Sequence, residues 1–175
     1  MHNALEERRA ISSWINRFMV NRQDSLLVTL GTVFKPIRYL NREYIYDCQL
    51  ESLSKPQNKL RYFLHRLNQK VFKTAYFKHN RKVELVSVYE LDSDDEYHYH
   101  CLMARPKTKD GQPYPLPKLE QHIRQSWDAT GLGSKKGVFD VTPVYSEKAY
   151  GYCQKFKNGV RLENVDWINS HIESF

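Results

Sequence analysis

Two histidines and a glutamate lie close together in the segment 89–103, YELDSDDEYHYHCLM. His98 and His100 are separated by one residue, and Glu90 precedes His98 by eight positions. Because side chains alternate faces along a β-strand, His98 and His100 point to the same side, and two imidazoles can share one ion. If the acidic DSDDE turn folds the chain into an antiparallel hairpin, the Glu90 carboxylate joins them. The spacing predicts a metal site with two nitrogen ligands and one oxygen ligand.

The types of these three ligands indicate which metal ions the site would favour. Without thiolates, neutral imidazole and carboxylate suit Mg²⁺ or Mn²⁺ at least as well as Zn²⁺, and the ion keeps positions for water or substrate oxygens. A bound ion of this kind polarises a phosphate. A His-x-His pair by itself is more often a pair of polar side chains on a half-buried strand that binds no metal. The interpretation as a metal site therefore depends on a partner motif elsewhere in the chain.

A second reactive pair lies in the segment 149–159, AYGYCQKFKNG. Lys155 follows Tyr152 by three residues, so on a helix the phenol and the ammonium share one face. A nearby cation lowers the pKa of a tyrosine and stabilises a transferring phosphoryl group, which makes Tyr152 a candidate covalent nucleophile. Tyr150 occupies a different helical face. It is the second candidate nucleophile, or an aromatic side chain that stacks on a base.

Hydrophobic spacing and turn residues predict the elements that position these groups. Helices are predicted over 4–19, 54–71 and 118–131, with a short helix beginning near Ser146 and ending at Asn158–Gly159. Strands are predicted over 25–34, 82–91, 97–106 and 137–144, and the segment 35–54 is predicted to be loop or short irregular structure. This order of elements predicts an α+β domain with a mainly antiparallel sheet.

Composition limits the class of protein. The chain has 175 residues, 41% of them hydrophobic, which predicts a single globular domain over 1–175 with its core at about 25–159 and a C-terminal tail at 160–175. No apolar run approaches the roughly 18 residues of a membrane span. Three cysteines without C-x-x-C spacing favour reduced thiols and a cytoplasmic location.

The net charge of +7 favours an anionic partner such as nucleic acid. Taken one at a time, the basic residues are as well explained by a solvated face. The candidate phosphate contacts are Arg61, Arg66, Lys70, Lys135 and Lys136.

Taken together, these motifs resemble the HUH superfamily of single-strand DNA endonucleases, specifically the replication initiators (Rep proteins) of rolling-circle plasmids, filamentous phages and small circular DNA viruses. LLVTL at 26–30, which contains Thr29, resembles the first motif, in which a threonine on a buried strand supports the site. HYH at 98–100 resembles the second motif and YCQK at 152–155 the third. Glu90 stands where virus-type initiators carry an acidic metal ligand, and the similarity spans 25–159.

The resemblance implies a ferredoxin/RRM-like fold with a central five-stranded antiparallel sheet flanked by helices. It also implies metal-dependent nicking and joining of DNA, which initiates rolling-circle replication. Glu90, His98 and His100 would hold Mg²⁺ or Mn²⁺, Tyr152 would form a 5′-phosphotyrosyl link, and Lys155 would offset charge in the transition state.

The same resemblance sets expectations about partners. The DNA would be a single-stranded or hairpin origin, and a separate helicase is expected because the chain has no Walker A motif. The protein would be a monomer or weak dimer in a bacterial or archaeal cytoplasm, or in the nucleus if it comes from a eukaryotic virus. Two alternatives stay open: an HUH transposase of the same chemistry, and a non-catalytic RRM-like module that binds nucleic acid.

Overall fold

The structure is a computed structural model, and it describes Glu6, Ser13 and residues 24–32, 45–91, 96–132, 138–144 and 165–171. Within these ranges the chain forms, in order, β1 (Ser25–Gly31), α1 (Ile45–Phe72), α2 (Thr74–His79), β2 (Leu85–Leu91), β3 (Tyr97–Ala104), α3 (Leu116–Asp128) and β4 (Phe139–Pro143). The strands form one sheet in the order β2-β3-β1-β4, and every neighbouring pair is antiparallel. The α+β class with a mainly antiparallel sheet is therefore confirmed.

The expectation of a five-stranded sheet is wrong for the described residues, which form four strands. Within 165–171, the described segment next to β2, the chain pairs with β2 through two isolated bridges, Val165 with Val88 and His171 with Leu85. Between these bridges the Asp166 carboxylate accepts hydrogen bonds from the backbone N–H and the side-chain amide of Asn169. These bonds close a turn, so the backbone leaves the strand direction before a ladder can form.

One face of the sheet packs against the helices. β1 contributes Leu26, Val28 and Leu30 to a core that also contains Phe63 of α1 and Trp127 of α3. The rings of Phe63 and Trp127 meet edge to face at 5.6 Å, and the Trp127 indole N–H donates to the Gly31 carbonyl at 3.1 Å. Burial of each such side chain contributes about 1.5–3 kcal/mol. This core fixes α1 and α3 on a single side of the sheet.

The helix α1 is longer than the sequence predicts. Proline favours the first turn of a helix, so Pro56 favoured a start near residue 54, but α1 begins at Ile45 and carries Pro56 within it. The prediction of irregular structure over 35–54 is therefore wrong for 45–54, while 33–44 lies outside the described residues. The tertiary core that holds α1 through Leu60 and Phe63 offsets the cost of the proline.

The helix α3 confirms the third predicted helix. Its buried residues include Leu119, Ile123 and Trp127, which recur at the spacing of one helical face. Just beyond its end Gly131 adopts φ +70°, a left-handed conformation that glycine takes at low cost. The strand β4 likewise confirms the strand predicted over 137–144.

Other predicted elements fall largely outside the described residues. Of the helix predicted over 4–19, only Glu6 and Ser13 are described, and both have helical backbone. The short helix predicted after Ser146 is outside them. No helix in the described ranges has the length and apolar character needed to cross a membrane.

Candidate metal centre

The β2–β3 hairpin brings the acidic residue back to the histidines. Glu90 pairs directly with His98, and Val88 pairs with His100 in the same antiparallel register. Because directly opposite residues share a face, Glu90, His98 and His100 all point to one side of the sheet. This is the side opposite the core formed with α1 and α3.

The three side chains converge. The Oε2 atom of Glu90 lies 3.6 Å from Nε2 of His98 and 3.6 Å from Nε2 of His100, and one ligand atom from each residue lies within 4.8 Å of the others. Two ligand atoms about 2.1 Å from one ion are about 3.0–3.4 Å apart. The two distances from Glu90 exceed this range by only a few tenths of an ångström, and side-chain adjustment would have to close any wider separation. The cluster of Glu90, His98 and His100 could hold a metal ion.

A threonine orients the inner histidine. Thr29 pairs with His100 across β1 and β3, and its Oγ1 lies 3.2 Å from Nδ1 of His100. When Nε2 serves as the ligand atom, Nδ1 carries the hydrogen and donates it to the threonine oxygen, which fixes both the tautomer and the ring plane. The predicted supporting residue is therefore in contact with a predicted ligand.

The two histidines differ in their surroundings. The side chain of His100 is 1% exposed, whereas His98 is 17% and Glu90 22% exposed. The imidazole rings stand nearly perpendicular at 89°, with centroids 4.7 Å apart. His100 thus forms the floor of the cluster, and the cluster is open to solvent on the side of Glu90 and His98.

The intervening residues of β3 face the helical core, and burial suppresses their ionisation. Burial raises the pKa of the Tyr99 phenol, with smaller contributions from Asp166 and other neighbours. Burial also raises the pKa of the Cys101 thiol to about 12, although a hydrogen bond to Ser87 lowers it slightly. Neither group is a nucleophile near neutral pH, because both stay protonated.

One carboxylate near the cluster was missed by sequence reasoning. Asp140 on β4 pairs with Thr29, so it lies on the metal-cluster face, in line with His100 and Thr29. Its Oδ2 accepts a hydrogen bond from Thr142 at 2.7 Å. With strands about 4.8 Å apart, Asp140 stands two strands, about 10 Å, from the backbone of His100. Asp140 therefore lies outside the set of three candidate ligands. The only feature of the sequence that could have pointed to it is an acidic residue within an otherwise apolar strand.

The other predicted site residues divide into two groups. Arg61, Arg66 and Lys70 lie on α1, which packs on the face opposite the metal cluster, and Lys70 donates to the Gln125 side chain at 2.9 Å. The second group lies outside the described residues and consists of Lys135, Lys136, Tyr150, Tyr152 and Lys155.

Comparison of the chain with models of protein families, with curated proteins and with solved structures gave no match.

Proposed function

We propose that this protein is a metal-dependent endonuclease that nicks and rejoins single-stranded DNA through a covalent 5′-phosphotyrosine intermediate, as a replication initiator of the HUH type. The observation that supports the proposal is the convergence of Glu90, His98 and His100 on one face of the sheet, with Thr29 behind His100. A three-ligand centre that leaves open positions is the arrangement needed to bind a phosphate oxygen.

In the proposed reaction, Glu90, His98 and His100 would hold Mg²⁺ or Mn²⁺, which would supply polarisation of the scissile phosphate. The phenolic oxygen of Tyr152 attacks phosphorus and forms the new P–O bond, while its proton leaves to solvent. The bond from phosphorus to the 3′ oxygen breaks, and that oxygen takes up a proton to become a free 3′-hydroxyl. Lys155 offsets the charge of the transition state, and attack by a 3′-hydroxyl on the phosphotyrosine reverses the reaction.

The orientation of the histidines supports this chemistry. The Thr29 hydroxyl holds His100 with Nε2 toward Glu90, so this ligand atom is already oriented toward the carboxylate before an ion binds. The partial exposure of Glu90 and His98 leaves room for a DNA phosphate on their side. A deeply buried cluster would exclude a polymeric substrate, and this cluster is buried only at its floor.

The decisive experiment is cleavage of a pool of random-sequence single-stranded oligonucleotides with Mn²⁺. We expect label at the 3′ end to become attached to the protein and to resist denaturing electrophoresis, and label at the 5′ end to be released. Tyr152→Phe should abolish the adduct, and the matched variant Tyr150→Phe, two residues earlier, should retain it.

Two further arms test the metal and the class of protein. His98→Ala and chelation with EDTA should each abolish cleavage without unfolding the protein, as judged by circular dichroism. Binding of intact DNA with no cleavage under any metal condition would contradict the proposal and favour a non-catalytic RRM-like module. Full activity in Tyr152→Phe would exclude Tyr152 as the nucleophile.

A further inference from the structure

Apart from the metal cluster, the structure has a concave surface where the end of α1, the helix α2 and the loop before α3 meet. It has a volume of about 620 Å³, and we call it the basic cleft. Val71, Phe72 and Tyr114 contribute apolar surface to its lining. Its cationic lining residues come from both sides and are Lys73, Lys78, Arg81, Lys107, Lys109 and Lys118.

The charge of this cleft is far from the average of the chain. Six Lys and Arg residues line it against one carboxylate, Asp110, whereas the whole chain has 27 Lys and Arg against 20 Asp and Glu. Like charges gathered on a concave surface repel one another and raise the local positive potential, which an anionic ligand relieves. The concentration of cations points to a polyanion as the partner.

Both sides of the cleft have defined backbone structure. Lys73 and Asn80, on either side of α2, adopt φ of 50°, a conformation that few residues other than glycine adopt. On the other side, Thr108 and Gly111 form a turn closed by backbone hydrogen bonds, with Gly111 at φ +77°. Arg81 joins the two sides, since its guanidinium donates to the Lys107 carbonyl at 3.4 Å.

Together with burial, the positive charges of the cleft lower the pKa of a nearby histidine, His122. Burial lowers the pKa of His122 on α3, and the ammonium groups of Lys70, Lys118 and Lys73 lower it further. Two of these three lysines line the basic cleft. A positive potential strong enough to oppose protonation of one more group is the condition that favours binding of phosphates.

The basic cleft and the metal cluster lie at different ends of the sheet. Along β3, His98 is close to the hairpin turn, and Ala104 lies six residues further on, next to the loop that lines the cleft. At about 3.3 Å per residue this separates them by about 20 Å. At 3.4 Å per nucleotide this distance corresponds to about six nucleotides of a B-form strand. A phosphate in the cleft is therefore not the phosphate at the metal.

We propose that the basic cleft is a binding site for the sugar-phosphate backbone of DNA, separate from the metal cluster and independent of metal. The lysines bind phosphates without reading bases, because ammonium groups on flexible chains act as point charges. A concave surface with cations on two sides fits a narrow ridge of phosphates better than a flat lipid surface. The proposal does not depend on the nuclease chemistry.

The test is fluorescence anisotropy with labelled random-sequence DNA in EDTA, using single-stranded and duplex probes of the same length. The variant combines Lys78→Gln with Lys109→Gln, one exposed lysine from each side of the cleft. We expect affinity near 0.1 M salt to fall about tenfold or more, and the slope of log affinity against log salt to become shallower by about 1.5–2. The two probes show whether the cleft prefers a single strand or a duplex.

The matched control combines Lys55→Gln with Arg124→Gln, two exposed cations that do not line the cleft. It removes the same charge and should lower affinity less than threefold. Equal losses in both variants would show attraction by net charge alone and overturn the proposal. Loss of binding to phosphatidylserine vesicles, with DNA binding unchanged, would assign the cleft to membranes instead.

The result can be separated from that of the nicking experiment. An oligonucleotide too short to span from the metal cluster to the cleft should be cleaved equally by wild type and by the Lys78 and Lys109 variant. If no DNA is cleaved but the variant loses binding, the basic cleft stands and the proposed nuclease function fails. If cleavage occurs but the variant binds DNA as wild type does, the basic cleft fails alone.

Discussion

The two faces of β3 carry opposite kinds of chemistry within four consecutive residues. His98 and His100 face the metal cluster, while Tyr99 and Cys101 face the core beneath α1 and α3. The phenol and the thiol are potential nucleophiles, and burial keeps both protonated. The imidazoles lie beside a carboxylate and can bind an ion. The reactivity of each residue is thus decided by its face and not by its type.

The largest expected effect tests the core face. Trp127→Ala should lower the free energy of unfolding by about 3–5 kcal/mol, because it removes a side chain that is 2% exposed and its hydrogen bond to Gly31. Trp167→Ala is the control, since Trp167 is 50% exposed and should cost less than about 1 kcal/mol. Urea denaturation measures both, and equal costs would contradict the described core.

The second prediction tests the metal face. His100→Ala should weaken Mn²⁺ binding at least about 100-fold, because it removes the buried ligand and leaves only two. The folded structure should remain, since the core of the opposite face is untouched. Isothermal titration calorimetry measures the affinity, and the exposed His79→Ala is the control. Unchanged affinity in His100→Ala would mean that the cluster is not the metal site.

The third prediction tests the support behind the ligand. Thr29→Val keeps the shape but removes the oxygen that contacts Nδ1 of His100, and should weaken Mn²⁺ binding about 10-fold. Thr142→Val lies on the same face and should change the affinity less than about threefold, because its hydroxyl bonds to Asp140 instead. If the two variants have the same effect, the Thr29 contact does not orient the ligand.

The smallest expected effect concerns pH and the core face. Burial raises the pKa of Cys101 to about 12, whereas an unfolded thiol titrates near about 8.5–9. Above that pH the unfolded chain loses a proton that the folded protein keeps, so stability falls as pH rises toward 12. From pH 8 to pH 10 this group should lower the free energy of unfolding by about 1–2 kcal/mol.

Cys101→Ala isolates this contribution. The substitution should make the decrease in stability between pH 8 and pH 10 shallower, whatever it does to the stability at pH 8. Urea denaturation at a series of pH values gives the slope. An identical slope in wild type and Cys101→Ala would show that the thiol titrates normally in the folded protein.

Short-range patterns predicted the metal cluster and most of the sheet. Strand alternation placed His98 and His100 on one face, and the acidic turn predicted the hairpin that returns Glu90. Local propensity was overridden at Pro56, which lies inside α1, a helix that Leu60 and Phe63 hold against core residues from distant parts of the chain. Asp140 escaped prediction for the same reason, since its strand neighbour Thr29 is 111 positions away in the chain.

The sequence by itself determined the class of fold and the three candidate ligands, because periodicity and turn residues act over a few positions. Only the tertiary structure placed β1 between β3 and β4, which sets Thr29 behind His100. It alone gathered Lys73, Lys78, Lys107 and Lys118 into one cleft, since these residues come from separate elements. The physical reason is that charge and coordination depend on distance in space, and folding sets that distance.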